Sequence, residues 1–154
     1  MTSTRAVDPG AVRARRSRLW EVPRWCTGAI LVASGTGKLL DVPGFIAIVD
    51  AYALLPDALN VALGVSLPFA ELATGVGLLA SSRPRLAASS AVGIHVLLLT
   101  GVLISLWEGR ELSNCGCFGV FFARPLTGQT ALEDAFMLGM SALAWWAARR
   151  SVSA

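Results

Sequence analysis

Leu86–Trp107 reads LAASSAVGIHVLLLTGVLISLW, 22 residues whose one ionisable side chain is His95. The hydrocarbon core of a bilayer takes a helix of about 20 apolar residues. The stretch therefore reads as a membrane span, with Trp107 as its interfacial anchor. A short basic turn, Ser81-Ser82-Arg83-Pro84-Arg85, precedes it. Before that turn lies the apolar run Asp57–Ala80, in which Pro68 is expected to form a kink. Downstream, Thr130–Ala148 makes a further run, ending in Trp145-Trp146 and Arg149-Arg150. Trp25–Leu40 opens the apolar part of the chain and is short for a span, so its helix is expected to begin near Trp20. The expectation is an all-α integral membrane protein, a four-transmembrane-helix bundle.

Composition agrees. Of 154 residues, 55% are hydrophobic and 15% charged, and the mean hydropathy is +0.63. Soluble domains are about a quarter charged. A net charge of +3 raises nucleic acid as a partner, but the distribution argues against it. Arg13, Arg15, Arg16 and Arg18 crowd the N-terminus, and most other basic residues stand at the ends of apolar runs. No aromatic–basic interleaving is present, so the expected partner is the lipid bilayer and not nucleic acid.

Met1–Arg18 is polar and patternless and reads as a cytoplasmic tail, partly disordered. The division expected is a tail over 1–19, a membrane domain over 20–149 and a cytoplasmic C-terminal tail over 150–154. Pro23 is expected to break the chain just before the first span. That first run resembles a signal peptide, with small residues near Ser34 and Gly35, but three more apolar runs follow it, which favours an uncleaved span. With the N-terminus inside, Arg5, Arg13, Arg15, Arg16, Arg18, Arg24, Arg83, Arg85, Arg149 and Arg150 are cytoplasmic, and only Lys38, Arg110 and Arg124 lie outside. The positive-inside rule then puts both termini in the cytoplasm of a plasma-membrane protein. After the first helix, Pro43-Gly44 reads as a turn and Phe45–Leu55 as an amphipathic segment at the outer interface, ending at Pro56.

The outer loop Glu108–Gln129 carries Asn114-Cys115-Gly116-Cys117-Phe118-Gly119. Two thiols so close can form a small, strained disulfide ring, and strain makes a disulfide easier to reduce. Glycine between and after them permits the tight backbone path. The outer face is also where disulfides persist. The bland alternative is a pair that packs or forms an inert bond, although so short a loop gains little from chain entropy. As a redox pair, one thiolate would exchange with a partner disulfide and the other would resolve the mixed disulfide; the spacing leaves open which sulfur attacks. Phe118, Phe121 and Phe122 would hold the loop on the membrane or a partner. No metal is expected, since two cysteines and one distant His are too few for a closed zinc site, and no phosphate loop of the Walker type occurs.

Glu71 lies well inside the second span, and an intramembrane carboxylate is a functional hypothesis by default. His95 sits at a similar depth on the third span. A Glu71–His95 pair would form a proton relay beneath the thiols, or a structural pair that fixes helix packing. Lys38, at the outer end of the first helix, reads first as a snorkelling cation; the sharper alternative is an ion pair with Glu71, or a cation that lowers a thiol pKa. Cys26 lies at the cytoplasmic end and reads as a small packing residue. A place facing the loop is open to Asp50 and Tyr52 on the interfacial segment, with nothing specific in the sequence to select it. Gly75, Gly77, Gly93, Gly101 and Gly139 read as close-packing points between helices.

Taken in order, Gly35-x-Gly37-Lys38-Leu39, Tyr52-x-Leu54-Leu55-Pro56, Leu67-Pro68-x-x-Glu71-Leu72 and Cys115-Gly116-Cys117-Phe118-Gly119 resemble the MauE family of methylamine-utilisation membrane proteins, related to DoxX-like four-helix proteins. The resemblance covers roughly Pro23 to Ala148. It implies a four-helix membrane protein with a redox-active outer cysteine pair, touching Lys38, Glu71, Cys115 and Cys117 but not His95. It further implies a thioredoxin-like partner and an extracytoplasmic client, such as the disulfide-rich small subunit of a methylamine dehydrogenase. The function expected is a membrane thiol–disulfide redox protein that assists disulfide formation or maturation of that client. The alternatives are a non-catalytic assembly factor and a small proton-coupled transporter using Glu71. No cofactor motif is visible, and a membrane quinone enters only by analogy with other four-helix thiol oxidases.

Overall fold

A computed structural model describes residues 9–80 and 84–150, with side chains in the first helix from Glu21 onward. The expected tails at 1–8 and 151–154, and Ser81–Arg83 of the basic turn, lie outside the described residues. The described chain is helical, in the order α1 (Pro9–Leu39), α2 (Val42–Ala51), α3 (Asp57–Ala80), α4 (Pro84–Trp107) and α5 (Gly128–Arg150).

Two sequence expectations fail in α1. Residues 9–18, read as patternless tail, are helical and continuous with the first apolar run. Ala and Arg are strong helix formers, and that local preference needs no hydrophobic period. Pro23 lies inside the helix instead of breaking the chain before it.

The bend after α1 also differs in place. Pro43-Gly44 is the first turn of α2 and not a free turn, because Asp41 caps the helix and accepts the Gly44 N–H at 2.9 Å. Proline is tolerated there, since its missing N–H would lack a helical partner anyway. The Glu21–Leu39 part of α1 and α2 meet at 100°. At the far end of α2, Asn60 Nδ2 donates to Asp50 Oδ1 (2.9 Å) and to Leu55 O (3.2 Å), tying the connection to α3.

α1 and α3 form the closest antiparallel pair. A Cβ added at Gly75 would stand 2.8 Å from Gly28 O and from Val32, and one at Gly35 would meet Pro68 O at 2.8 Å. The backbones therefore approach as only glycine allows. Arg24 closes one end by donating to Leu78 O, at 2.9 Å, in the last turn of α3. α4 and α5 form a second antiparallel pair, joined by His95 to Ser141 and by Arg85 to Arg149 O. Leu31, Phe45, Leu67, Leu78, Ala91 and Ile94 fill the space between the pairs. Of the expected close-packing glycines, Gly93 and Gly139 have nothing within 4 Å of an added Cβ. Gly75→Leu is accordingly expected to cost about 1–3 kcal/mol from overpacking, read by thermal unfolding in detergent, with Gly93→Leu close to wild type.

α3 and α4 are each long and apolar enough to cross a membrane, and α1 with α2 qualifies as one bent pair. α5 is long enough, about 34 Å for its length, but it carries Glu133 and Asp134 within the stretch that would cross. Leu86, Leu97, Leu103, Phe136 and Leu143 are exposed around the bundle. An outside so apolar belongs to a membrane protein.

Candidate functional site

The loop between α4 and α5 is cross-braced by backbone bonds. Cys115 N donates to Arg124 O (2.8 Å) and Leu126 N to Leu112 O (2.9 Å). Within it, Asn114 Oδ1 accepts the Gly116 N–H at 2.9 Å and Asn114 Nδ2 donates to Gly119 O at 3.2 Å. Gly116 and Gly119 have φ of +74° and +75°, a region that disfavours side chains. Gly119 also abuts the last turn of α1, where a Cβ would lie 2.6 Å from Gly37 O.

This path brings the sulfurs of Cys115 and Cys117 to 3.0 Å, unbonded, as a thiol pair. Cys115 is buried and Cys117 partly exposed. The hydrogen bond from Cys117 holds the Cys115 thiol down to about 6, against its burial and with help from the Cys117 backbone N–H and the Arg124 charge. The same bond and burial push Cys117 up. Since the thiolate is the reactive form, alkylation of reduced Cys115 is expected to rise through pH 6 and level off above pH 7. An alkylation rate still climbing at pH 9 would contradict that environment.

Beneath the loop, Ser34 and Lys38 share one face of α1, one turn apart. Lys38 Nζ donates to Glu71 Oε1 at 2.5 Å and to Ser34 Oγ at 2.9 Å. Ser34 Oγ lies 2.9 Å from Glu71 Oε2 and 2.6 Å from Cys117 O, two acceptors for a single hydroxyl hydrogen. Lys38 is 1% and Glu71 0% exposed. Snorkelling, the first reading of Lys38, is thus overturned in favour of the ion pair. The side chain faces α3, where Glu71 takes the ammonium.

Glu71 and His95 share no hydrogen bond. His95 Nδ1 instead meets Ala91 O (2.8 Å) and Ser141 Oγ (3.1 Å). The direct relay is therefore replaced by two separate polar clusters on the wall of one cavity. That cavity, about 860 Å³, is lined by Lys38, Glu71, His95, Cys115 and Cys117 among many apolar residues. Cys26 is exposed, not packed, at the end away from the loop.

Sequence reasoning missed two contributors and left a third, Tyr52, as an open option. Ser34 carries the link from the ion pair to the loop. Tyr52 Oη donates to Cys115 O at 2.7 Å. Asp134 lines the cavity, and its Oδ2 is buried with no hydrogen-bond partner among the described residues. Two of these act on backbone carbonyls, which leave no mark in a motif; an acid inside the last apolar run was the one visible signal. Among the described residues no group of three or more His, Cys, Asp or Glu could hold a metal ion.

A family model described as methylamine utilisation protein MauE matches residues 16–147. The chain is also similar to a methylamine utilization protein MauE of Paracoccus denitrificans, 29% identical over 123 residues. The match covers 80% of this chain and 66% of that relative, just under two thirds of its length. No solved structure matches.

Proposed function

The chain belongs to the methylamine utilisation protein MauE family, and from that premise we propose that it is a four-span thiol–disulfide redox protein of the plasma membrane. Its Cys115/Cys117 pair would act on the outer face. There it assists disulfide formation or maturation of an extracytoplasmic client, such as a methylamine dehydrogenase-type subunit, through a thioredoxin-like partner. The observation that carries the reading is the pair itself, two free sulfurs 3.0 Å apart in a glycine-bent loop. α5 serves as the fourth span, its Glu133 and Asp134 lying near the loop end. Both termini are cytoplasmic.

The proposed chemistry starts from the oxidised pair. A partner thiolate attacks one sulfur, the ring S–S bond breaks, and the other cysteine leaves as a thiolate. Cys117 is the more exposed residue of the two, so attack falls on Cys117 and Cys115 leaves. A second partner thiol then attacks the partner's sulfur in the mixed disulfide and releases Cys117. The partner dithiol has lost two electrons and the pair has gained them. Lys38, Glu71 and Ser34 position the loop from below, and His95 contributes to the wall of the cavity.

Intact cells treated with a membrane-impermeant maleimide test the reading. Two labels are expected on the loop only after mild reduction. Labelling that needs opened membranes would overturn the outer placement. Immediate labelling without reduction would overturn the resting disulfide and favour a non-catalytic assembly factor. Transport that survives Cys115→Ser/Cys117→Ser but stops in Glu71→Gln would favour the transporter.

A further inference from the structure

We propose that the cavity beneath the dithiol loop binds a lipid-borne para-quinone, the acceptor for two electrons and two protons when Cys115 and Cys117 return to their disulfide. The inference rests on the reading of the pair as a disulfide donor, and it supplies the oxidant that such a donor needs after each turn. Among the described residues the third cysteine, Cys26, stands at the opposite end of α1, so no second dithiol is in reach to take the electrons.

The cavity fits that chemistry in size, lining and access. Its volume of about 860 Å³ falls in the usual ligand range of roughly 300–1,000 Å³. Its wall is mostly Leu, Ile, Val, Phe and Met from α1 to α5. Leu97, Ile104, Leu132 and Phe136 line it and are also exposed on the outside of the bundle. The cavity therefore reaches the apolar surface sideways, where a molecule dissolved in lipid arrives.

A few polar groups interrupt the apolar wall, as a ligand with an apolar body and carbonyl oxygens requires. Lys38 uses two of its three N–H donors on Ser34 and Glu71. Both hydrogen bonds of His95 use Nδ1, which leaves Nε2 for the cavity. The buried Asp134 Oδ2 has no partner among the described residues. A lipid acyl chain has no use for such groups, whereas a quinone ring accepts hydrogen bonds and its reduced form donates them. In the step itself the S–S bond forms as two S–H bonds break. The electron pair and both protons pass to the two ring oxygens, giving the hydroquinone.

Gly101 supplies the means of testing it. It lines the cavity, and an added Cβ there meets only Leu54, at 4.0 Å. Gly101→Leu thus fills the cavity without crowding a helix contact. Full-length reduced protein in phospholipid nanodiscs is mixed with decylubiquinone, and disulfide formation is followed with hydroquinone appearance. Gly101→Leu is expected to slow this at least tenfold, Gly93→Leu is expected to match wild type, and all three are expected to exchange equally with a small soluble disulfide. A second readout needs no turnover: an azido-decylubiquinone is photo-crosslinked to Cys115→Ser/Cys117→Ser protein and mapped by mass spectrometry. Label on cavity-lining peptides, lost with Gly101→Leu, supports the site; label elsewhere, or unchanged by the substitution, overturns it. A pair that exchanges with soluble disulfide while decylubiquinone neither oxidises nor labels overturns this inference and spares the function. A pair inert to both oxidants overturns the function and the redox step together.

Discussion

Glu71→Leu is expected to destabilise the protein by about 3–5 kcal/mol, because it strands a buried ammonium without its counter-ion. Lys38 is 1% exposed, and only Ser34 would remain to accept from it. Lys38→Met should cost a similar amount by leaving the carboxylate stranded. The informative variant is the double one. Replacing both partners by apolar side chains of like volume is often neutral or stabilising, so Lys38→Met/Glu71→Leu should recover most of either loss. Thermal unfolding of the four proteins in one detergent gives the coupling directly. A double variant as unstable as the sum of the singles would mean that the two side chains do not act as a pair.

The second large effect is qualitative. Cys115→Ser is expected to trap a mixed disulfide with the thiol partner, whereas Cys117→Ser is expected to trap little. In the intact ring attack falls on Cys117, the more exposed residue, and expels Cys115; in the variant the remaining Cys117 thiolate reaches the same mixed disulfide by attacking the partner's oxidised form. A serine at 115 removes the internal thiolate that would otherwise reverse the link. The check is a non-reducing gel of membranes, with partner bands identified by mass spectrometry and removed by dithiothreitol. Equal trapping by both variants would contradict the asymmetry and return the choice of sulfur to an open question.

Much of the helix layout could be read from apolar runs, because α3 and α4 each fill a bilayer's thickness almost without charge. Two boundaries were misread, and each has a local cause. Helix propensity among Ala and Arg extends α1 back to Pro9 with no hydrophobic pattern to announce it. Asp41 converts Pro43-Gly44 from a turn into a helix start. The candidate site was legible as a cysteine pair and a set of residue types, with the Lys38–Glu71 ion pair only an alternative. Depth along a span follows from counting, and it grouped Glu71 with His95. Rotation about the helix axis does not follow from counting, and it is rotation that pairs Glu71 with Lys38 and His95 with Ser141. Ser34 was out of reach and Tyr52 no more than an open option, since each acts on a backbone carbonyl of the loop.

Ser34 has a consequence for how the loop and the bundle communicate. Its one hydrogen faces two oxygens, the Cys117 carbonyl and Glu71 Oε2. Aimed at the carbonyl, the hydroxyl tethers the loop; turned toward the carboxylate, it releases the loop and completes the solvation of an anion sealed from water. The backbone of a loop that carries two thiols and a charge pair in the interior thus share, and compete for, one rotating proton donor.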